Sequence, residues 1–312
     1  MAASGSPQTP DAHATWSPTY GVDLNAVLGP FVRGRRDPTI RLATRDAWLT
    51  MRTPEGPAAV HVVVDELVEA VGWGPGASWA VNSIPHLLGV TDDPSGFRHD
   101  LLPAQLQPTW HRYAERWRIP SSGRVLEALV AAVLEQKVTG VESRRAWSSL
   151  LREVGAPAPG PAPEGMHVFP TVEQLHRVPS WQWHRWGVQP PQSATIMRAM
   201  QVAGRLQQCV DLDLPAARAR LAVVPGIGPW TVAEVTSRAL GDPDSVSFAD
   251  YHLAGQLVYI FTGERGGDDA RMAELLEPFA GHRYRVQRLV ELSGITLPAR
   301  GPRMTIADHR RH

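Results

Sequence analysis

The chain has 312 residues, 43% of them hydrophobic, and a formal net charge of zero. That length favours two domains over one and allows a sizeable core, while the neutral balance gives no general electrostatic pull toward nucleic acid. A lone cysteine, Cys209, excludes an internal disulfide framework and any four-thiolate zinc or iron–sulfur site within the chain, and its place on a helical stretch points to packing.

Residues 1–18 are small and polar and read as a disordered tail. They lack a basic start followed by an apolar run, and no later run approaches the roughly 20 apolar residues a membrane helix needs, so an intracellular globular protein is expected. Residues 23–31 read as a short helix. Stretches 39–45, 47–53 and 59–64 are rich in Val, Ile, Thr and Trp and are separated by Asp46 and by Pro54-Glu55-Gly56-Pro57, the pattern of an antiparallel sheet. A GxG fragment falls within residues 72–76, but Pro75 and the lack of a strand–helix setting argue against a dinucleotide loop.

From about Trp110 the periodicity becomes helical. Leu126, Leu129, Val130, Val133 and Leu134 share one face, with Ser121 and Ser122 in front of them as caps. Residues 141–154 form a second helix, and 155–165, dense in Pro and Ala, form a loop. Further helices are predicted over 172–176, 192–209, 215–223, 230–240, 251–261, 272–279 and 284–292. Trp181, Trp183 and Trp186 crowd one segment, as packing of an irregular loop or as the lining of a cleft. Near the C-terminus Arg283, Arg285, Arg288, Arg300, Arg303, Arg310 and Arg311 meet few acids, giving a basic patch that is either a solvated face or a phosphate contact. An α+β domain thus precedes a mostly α-helical one.

The most informative segment is LAVVPGIGPWTVAEV, residues 221–235. Apolar Leu221 and Val224 close one helix, Gly226 and Gly228 bracket Ile227 in a tight turn, and Thr231, Val232 and Val235 open the next. Paired glycines suit a backbone that takes positive φ or approaches a partner closely, and a helix starting there points free amides outward, as a DNA phosphate requires. An ordinary helical turn is the alternative. Asp250 follows Trp230 by twenty residues, in VSFADYHL, at the start of another helix. By itself such an Asp is an N-cap.

Together these residues resemble the helix-hairpin-helix DNA glycosylase superfamily, and most of all its bacterial 3-methyladenine DNA glycosylase II branch. The hairpin VPGIGPWT, the Ala249-Asp250-Tyr251 run and the helix over 126–139 ending in Gln136 and Lys137 are similar to that branch's motifs. The resemblance implies a disordered tail over 1–18, a TBP-like α+β antiparallel sheet domain over 19–112, a helical glycosylase domain over 113–297 and a basic tail over 298–312. It implies Asp250 as the catalytic carboxylate, with Trp230, Glu234 and Tyr251 around the damaged base. Gln136, Lys137, Gly226, Ile227, Gly228, Thr231, Arg283 and Arg285 are implied to meet DNA. Backbone carbonyls of Ala222, Val224 and Ile227 are implied to hold a monovalent cation, and no iron–sulfur cluster is expected. Trp230 stands where bifunctional relatives carry a nucleophilic lysine, so base release without strand cleavage is implied. The partner is double-stranded DNA with a damaged, alkylated purine, met by a monomer in the bacterial cytoplasm beside the nucleoid, with no membrane. Lys137 stands in place of an apolar wedge, Glu234 in place of an aromatic, and Glu291 near another such position. These departures keep two alternatives open, a catalytically silent lesion-binding module and a glycosylase for oxidised or deaminated bases.

Overall fold

The computed structural model describes residues 9–297, so the tail expected over 298–312, with Arg300, Arg303, Arg310 and Arg311, lies outside the described residues. Five strands, β1 (Ala12–Trp16), β2 (Ile40–Leu42), β3 (Asp46–Thr53), β4 (Gly56–Val64) and β5 (Val68–Trp73), form an antiparallel sheet in the order β1-β5-β4-β3-β2. Alternation explains β3: Ala47, Leu49 and Met51 all point into the core. The β3–β4 turn closes at Thr53↔Gly56, where Gly56 takes φ 133°.

Two strands of this sheet, β1 and β5, escape the sequence reading. Residues 12–16, expected within a disordered tail, are β1, paired with β5 from Ala12↔Gly72 to Trp16↔Val68. Only half-buried side chains alternate along β1, so its order comes from backbone pairing with a distant strand edge, which no local pattern encodes. The GxG stretch also runs from strand to helix after all, from β5 into α2 (Ala77–Leu87). Its glycines serve packing: a Cβ on Gly76 would sit 2.2 Å from Thr53 Oγ1, and one on Gly72 2.8 Å from a Val81 methyl. Helix α1 (Leu24–Leu28) is capped by Asp23, whose Oδ1 accepts the Ala26 N–H at 3.0 Å. Helix α3 (Gln107–Tyr113) completes this part.

A second core follows, built by α4 (Val125–Glu135), α5 (Gly140–Val154), α6 (Val172–His176), α7 (Ser180–Arg185), α8 (Pro190–Gln201), α9 (Ala203–Gln207), α10 (Leu214–Ala222) and α11 (Pro229–Ala239). Cys209 is buried in it, as expected of a packing residue. Ser121 and Ser122 do not cap α4. The Ser121 hydroxyl donates to the Ala239 carbonyl at 3.1 Å, fastening α4's approach to the end of α11. The Pro-rich loop is pinned at its ends by the short pair β6 (Ala156–Pro157) and β7 (His167–Val168). The tryptophan segment is helix α7, with Trp183 and Trp186 buried edge to face at 5.3 Å and Trp181 62% exposed. The helix expected over 192–209 breaks at Val202, where φ is −118°.

The last helices, α12 (Leu253–Thr262), α13 (Asp269–Leu276) and α14 (Arg283–Ser293), return to the first core, where Leu257, Val286 and Leu289 join the cluster of Phe97, Trp117 and the sheet. The expected helical domain over 113–297 is therefore not one packing unit. The arginines expected to touch DNA hold this return in place. Arg285, fully buried, pairs with Asp92 at 2.6 Å and lies over the Phe97 and Trp117 rings. Arg283 is engaged at both ends by Asp244, at 2.8 and 2.6 Å. Arg288 binds Glu291 and donates to the Ala26 carbonyl. The Arg285 guanidinium is spent on a buried partner, and that of Arg283 is held at two points by a half-buried one, so the DNA-contact expectation for Arg283 and Arg285 is corrected accordingly.

Candidate active site

Helices α10 and α11 form the hairpin around residues 223–228. The Ile227 N–H donates to the Val224 carbonyl at 3.0 Å, and Gly226 takes φ 99°. A Cβ on Gly226 would meet Thr195 Oγ1 at 2.1 Å, so this position requires glycine twice over. Gly228 differs from expectation: its φ is −93° and no atom lies within 4 Å of where a Cβ would stand. What glycine leaves there is an open approach to the first turn of α11. The N–H groups of Gly226 and Gly228 donate to nothing among the described residues, and both residues are exposed. The side chains of Ile227 and Thr231 are buried, so any contact they make with a ligand runs through the backbone, a correction to their expected role. Proline at the first helical position costs α11 no amide it needs.

The tip that ends α4 is fastened to this hairpin. Gln136 Nε2 donates to the Gly226 carbonyl at 3.0 Å and to Thr231 Oγ1 at 2.8 Å. Gln192 Nε2 in turn donates to the carbonyls of Val133, Leu134 and Gln136 at 3.1, 3.2 and 3.0 Å, satisfying acceptors that the end of α4 leaves open. Lys137 follows, exposed and with φ 53°. Arg198, which the sequence reading missed, stands exposed beside the hairpin and donates to the Pro225 carbonyl at 3.1 Å.

Asp250 lies on the loop between α11 and α12. Its Oδ1 accepts the N–H groups of His252 and Leu253 at 2.9 and 3.0 Å, capping α12 from two residues before its formal cap. Its other oxygen accepts no hydrogen bond among the described residues. Ala249, just before it, takes φ 66°, and its N–H is held by Asp269 Oδ2 at 2.7 Å. Nothing in the sequence marks Asp269 for this task, since the contact joins residues twenty positions apart. Trp230 is half-buried against the second core. Tyr251 is 91% exposed, its ring edge-on to His252 at 4.7 Å, so it does not wall a pocket as expected.

Glu234, one turn beyond Trp230, is buried. Its carboxylate binds Arg238 at 2.6 Å and accepts the Ser247 hydroxyl at 2.6 Å. Burial pushes its pKa up against the opposing pull of Arg238. Gln287 accepts the Ser247 N–H at 3.0 Å and donates to Ser247 Oγ at 3.2 Å and to Glu291 at 3.0 Å. This chain of contacts anchors, three residues upstream, the loop that carries Asp250. Glu291 ends it at the surface.

The architecture of a five-stranded antiparallel sheet with a helical bundle is shared with solved structures. The fold matches the 3-methyladenine DNA glycosylase from Archaeoglobus fulgidus with a TM-score of 0.74 at 16% identity, covering 90% of this chain and 98% of that one. It also matches the apo 8-oxoguanine glycosylase/lyase of Clostridium acetobutylicum with a TM-score of 0.68 at 11% identity, covering 93% and 98%. No family model matches the chain. At 16% and 11% identity these are likenesses of fold, and they run through nearly the whole chain. Within it, 146 residues are 30% identical to a Mycobacterium tuberculosis protein described as a probable bifunctional transcriptional activator/DNA repair enzyme AlkA. That match takes in 44% of this chain and only 27% of the relative, so the likeness spans about a quarter of the relative's length. Among the described residues no helix is long and apolar enough to cross a membrane.

Proposed function

We propose that the protein is a monofunctional DNA glycosylase that hydrolyses the N-glycosidic bond of alkylated purines in duplex DNA, leaving the strand intact. The relatives' names support the reaction class, and one observation carries it here: Asp250 holds one carboxylate oxygen on two backbone amides and leaves the other unpartnered. Fixed in that way, the free oxygen can face the deoxyribose as positive charge develops on breaking the bond, and can orient the attacking water. The base must first leave the stack, at a cost of a few kcal/mol.

The hairpin supplies the phosphate contact. The exposed amides of Gly226 and Gly228 and the cation of Arg198 stand together at the N-terminus of α11, the end of a helix that favours an anion. In the Gln136–Lys137 tip, the Lys137 side chain stands out from the same surface toward the gap a flipped base leaves. Carbonyls of Ala222, Val224 and Ile227 offer oxygen ligands for a monovalent cation bridging hairpin and phosphate. The Val224 carbonyl already accepts the Ile227 N–H and keeps a second lone pair for that ion. Trp230 offers an aromatic face to a cationic base, which suits N-alkylated purines. The substitution of indole for an amine at position 230 supports release without coupled strand cleavage. Incubation with methylated duplex DNA followed by chromatography tests the proposal. Free alkylpurines and intact strands are expected, whereas no release from a panel of alkylated, oxidised and deaminated duplexes contradicts it and leaves a binding module.

A further inference from the structure

Lys137 is the only lysine in the sequence; every other residue in the Lys plus Arg count of 31 is arginine. Where charge on phosphate is all that is asked, arginine serves at least as well, since its guanidinium presents more donors. A lysine differs in one chemical respect: it carries a primary amine able to form an imine. The backbone at this residue is costly as well. A φ of 53° lies in the left-handed region, which a residue other than glycine disfavours. Neighbours on both sides impose it. Gln136 is tied to Gly226, Thr231 and Gln192. On the far side, Thr139 and Glu142 form a capping box that starts α5. The Lys137 side chain is exposed, and its ammonium has no hydrogen bond or ion pair among the described residues. A four-carbon stem thus holds the chain's one primary side-chain amine beside the hairpin, on a rigid and strained tip.

We infer that Lys137 captures the abasic product of base release as an imine. In the ring-opened abasic sugar, C1′ is an aldehyde carbon. The lone pair of the neutral amine attacks it and forms the C–N bond. Both amine hydrogens leave with the carbonyl oxygen as water, and solvent protonates the imine nitrogen. Hydrolysis reverses the step, so the adduct holds a reactive product until it is released, with no oxidant or reductant consumed. Asp250 chemistry enters this inference only as the source of the abasic site.

The test bypasses that source. Duplex DNA carrying a preformed abasic site is incubated with the full chain and sodium borohydride, which reduces the C=N bond to a stable secondary amine. Covalent complex is expected on a denaturing gel, with the adduct mapped by mass spectrometry to the peptide containing Lys137. The Lys137→Arg variant keeps a cation but no primary amine. It is expected to lower adduct per bound duplex at least tenfold, with binding scored in parallel on the same samples. Undiminished adduct in Lys137→Arg, an adduct mapped to the N-terminal amine, or no adduct from the wild-type chain each overturns the inference. Failure to release methylated bases alongside normal trapping would instead defeat the glycosylase reading and leave this one standing.

Discussion

At the scale of single residues, the left-handed Ala249 and its partner Asp269 set the direction in which Asp250 leaves the chain. Asp269 accepts the Ala249 N–H at 2.7 Å, which holds a backbone state that alanine disfavours. Asp269 is therefore a positioning residue. Asp269→Ala is expected to slow single-turnover base release by about tenfold while duplex affinity changes little, because small misplacements of a reacting group are costly. Asp269→Asn, which keeps an acceptor oxygen, is expected to retain most of the rate. Adding Ala249→Gly to Asp269→Ala restores part of the loss by making positive φ inexpensive. An equal rate in Asp269→Ala and the wild type, read by quenched-flow release, would show that the contact does not serve the chemistry.

Two elements repay comparison, the hairpin and α14. Gly226→Ala meets both a positive φ and the Thr195 side chain, so a loss of about 1–3 kcal/mol in urea unfolding is expected, with weakened binding to any duplex. Gly228→Ala has ordinary backbone and open space, so stability within about 0.5 kcal/mol of wild type is expected, while the added methyl on the approach face still lowers duplex affinity. Equal stability losses in the two variants would contradict this division of labour. In α14, Arg285→Ala strands the Asp92 carboxylate in the core, and a loss of about 3–5 kcal/mol is expected by the same measurement. The hairpin was legible in the sequence because two glycines, a proline and apolar residues at helical spacing are all local signals. The role of α14 was not. A run of arginines reads as a solvated or phosphate-binding face, and only the tertiary fold brings Asp92 and Asp244 to meet them.

At the scale of the whole molecule, the chain closes on itself: β1 joins a sheet edge formed much later, and α12–α14 return to the sheet's core. Local periodicity found most helices and three strands, yet missed these long-range closures, since neither a paired backbone edge nor a shared core leaves a mark in nearby residues. Asp250 was recognisable only together with the hairpin upstream, and its support by Asp269, Ser247 and Gln287 was invisible for the same long-range reason. The return carries a pH signature. His282 lies edge-on to Phe97 at 5.8 Å, and its Nδ1 faces the Arg285 Nε–H at 3.4 Å. Burial lowers its pKa below the ordinary 6.5, and the Arg285 charge lowers it further. With the folded value below the unfolded one, its contribution is complete above 6.5 and is lost as acid takes the solution down through the folded value. Thermal unfolding followed across that window is expected to show this loss in the wild-type chain and a smaller one in His282→Phe; a steeper acid loss in the variant would reverse the sign of the argument.

The proposed chemistry rests on a single unpartnered oxygen at Asp250, and Asp250→Asn removes its charge while leaving the amide-accepting oxygen able to cap α12. Single-turnover release of N-methylated purines from duplex DNA is predicted to fall by at least about 10²–10³-fold in this variant, the scale of losing one preorganised electrostatic contact. Affinity for the same duplex, measured alongside, is predicted to hold or rise as a negative charge leaves the phosphate-facing surface. Release by Asp250→Asn at the wild-type rate would contradict the account.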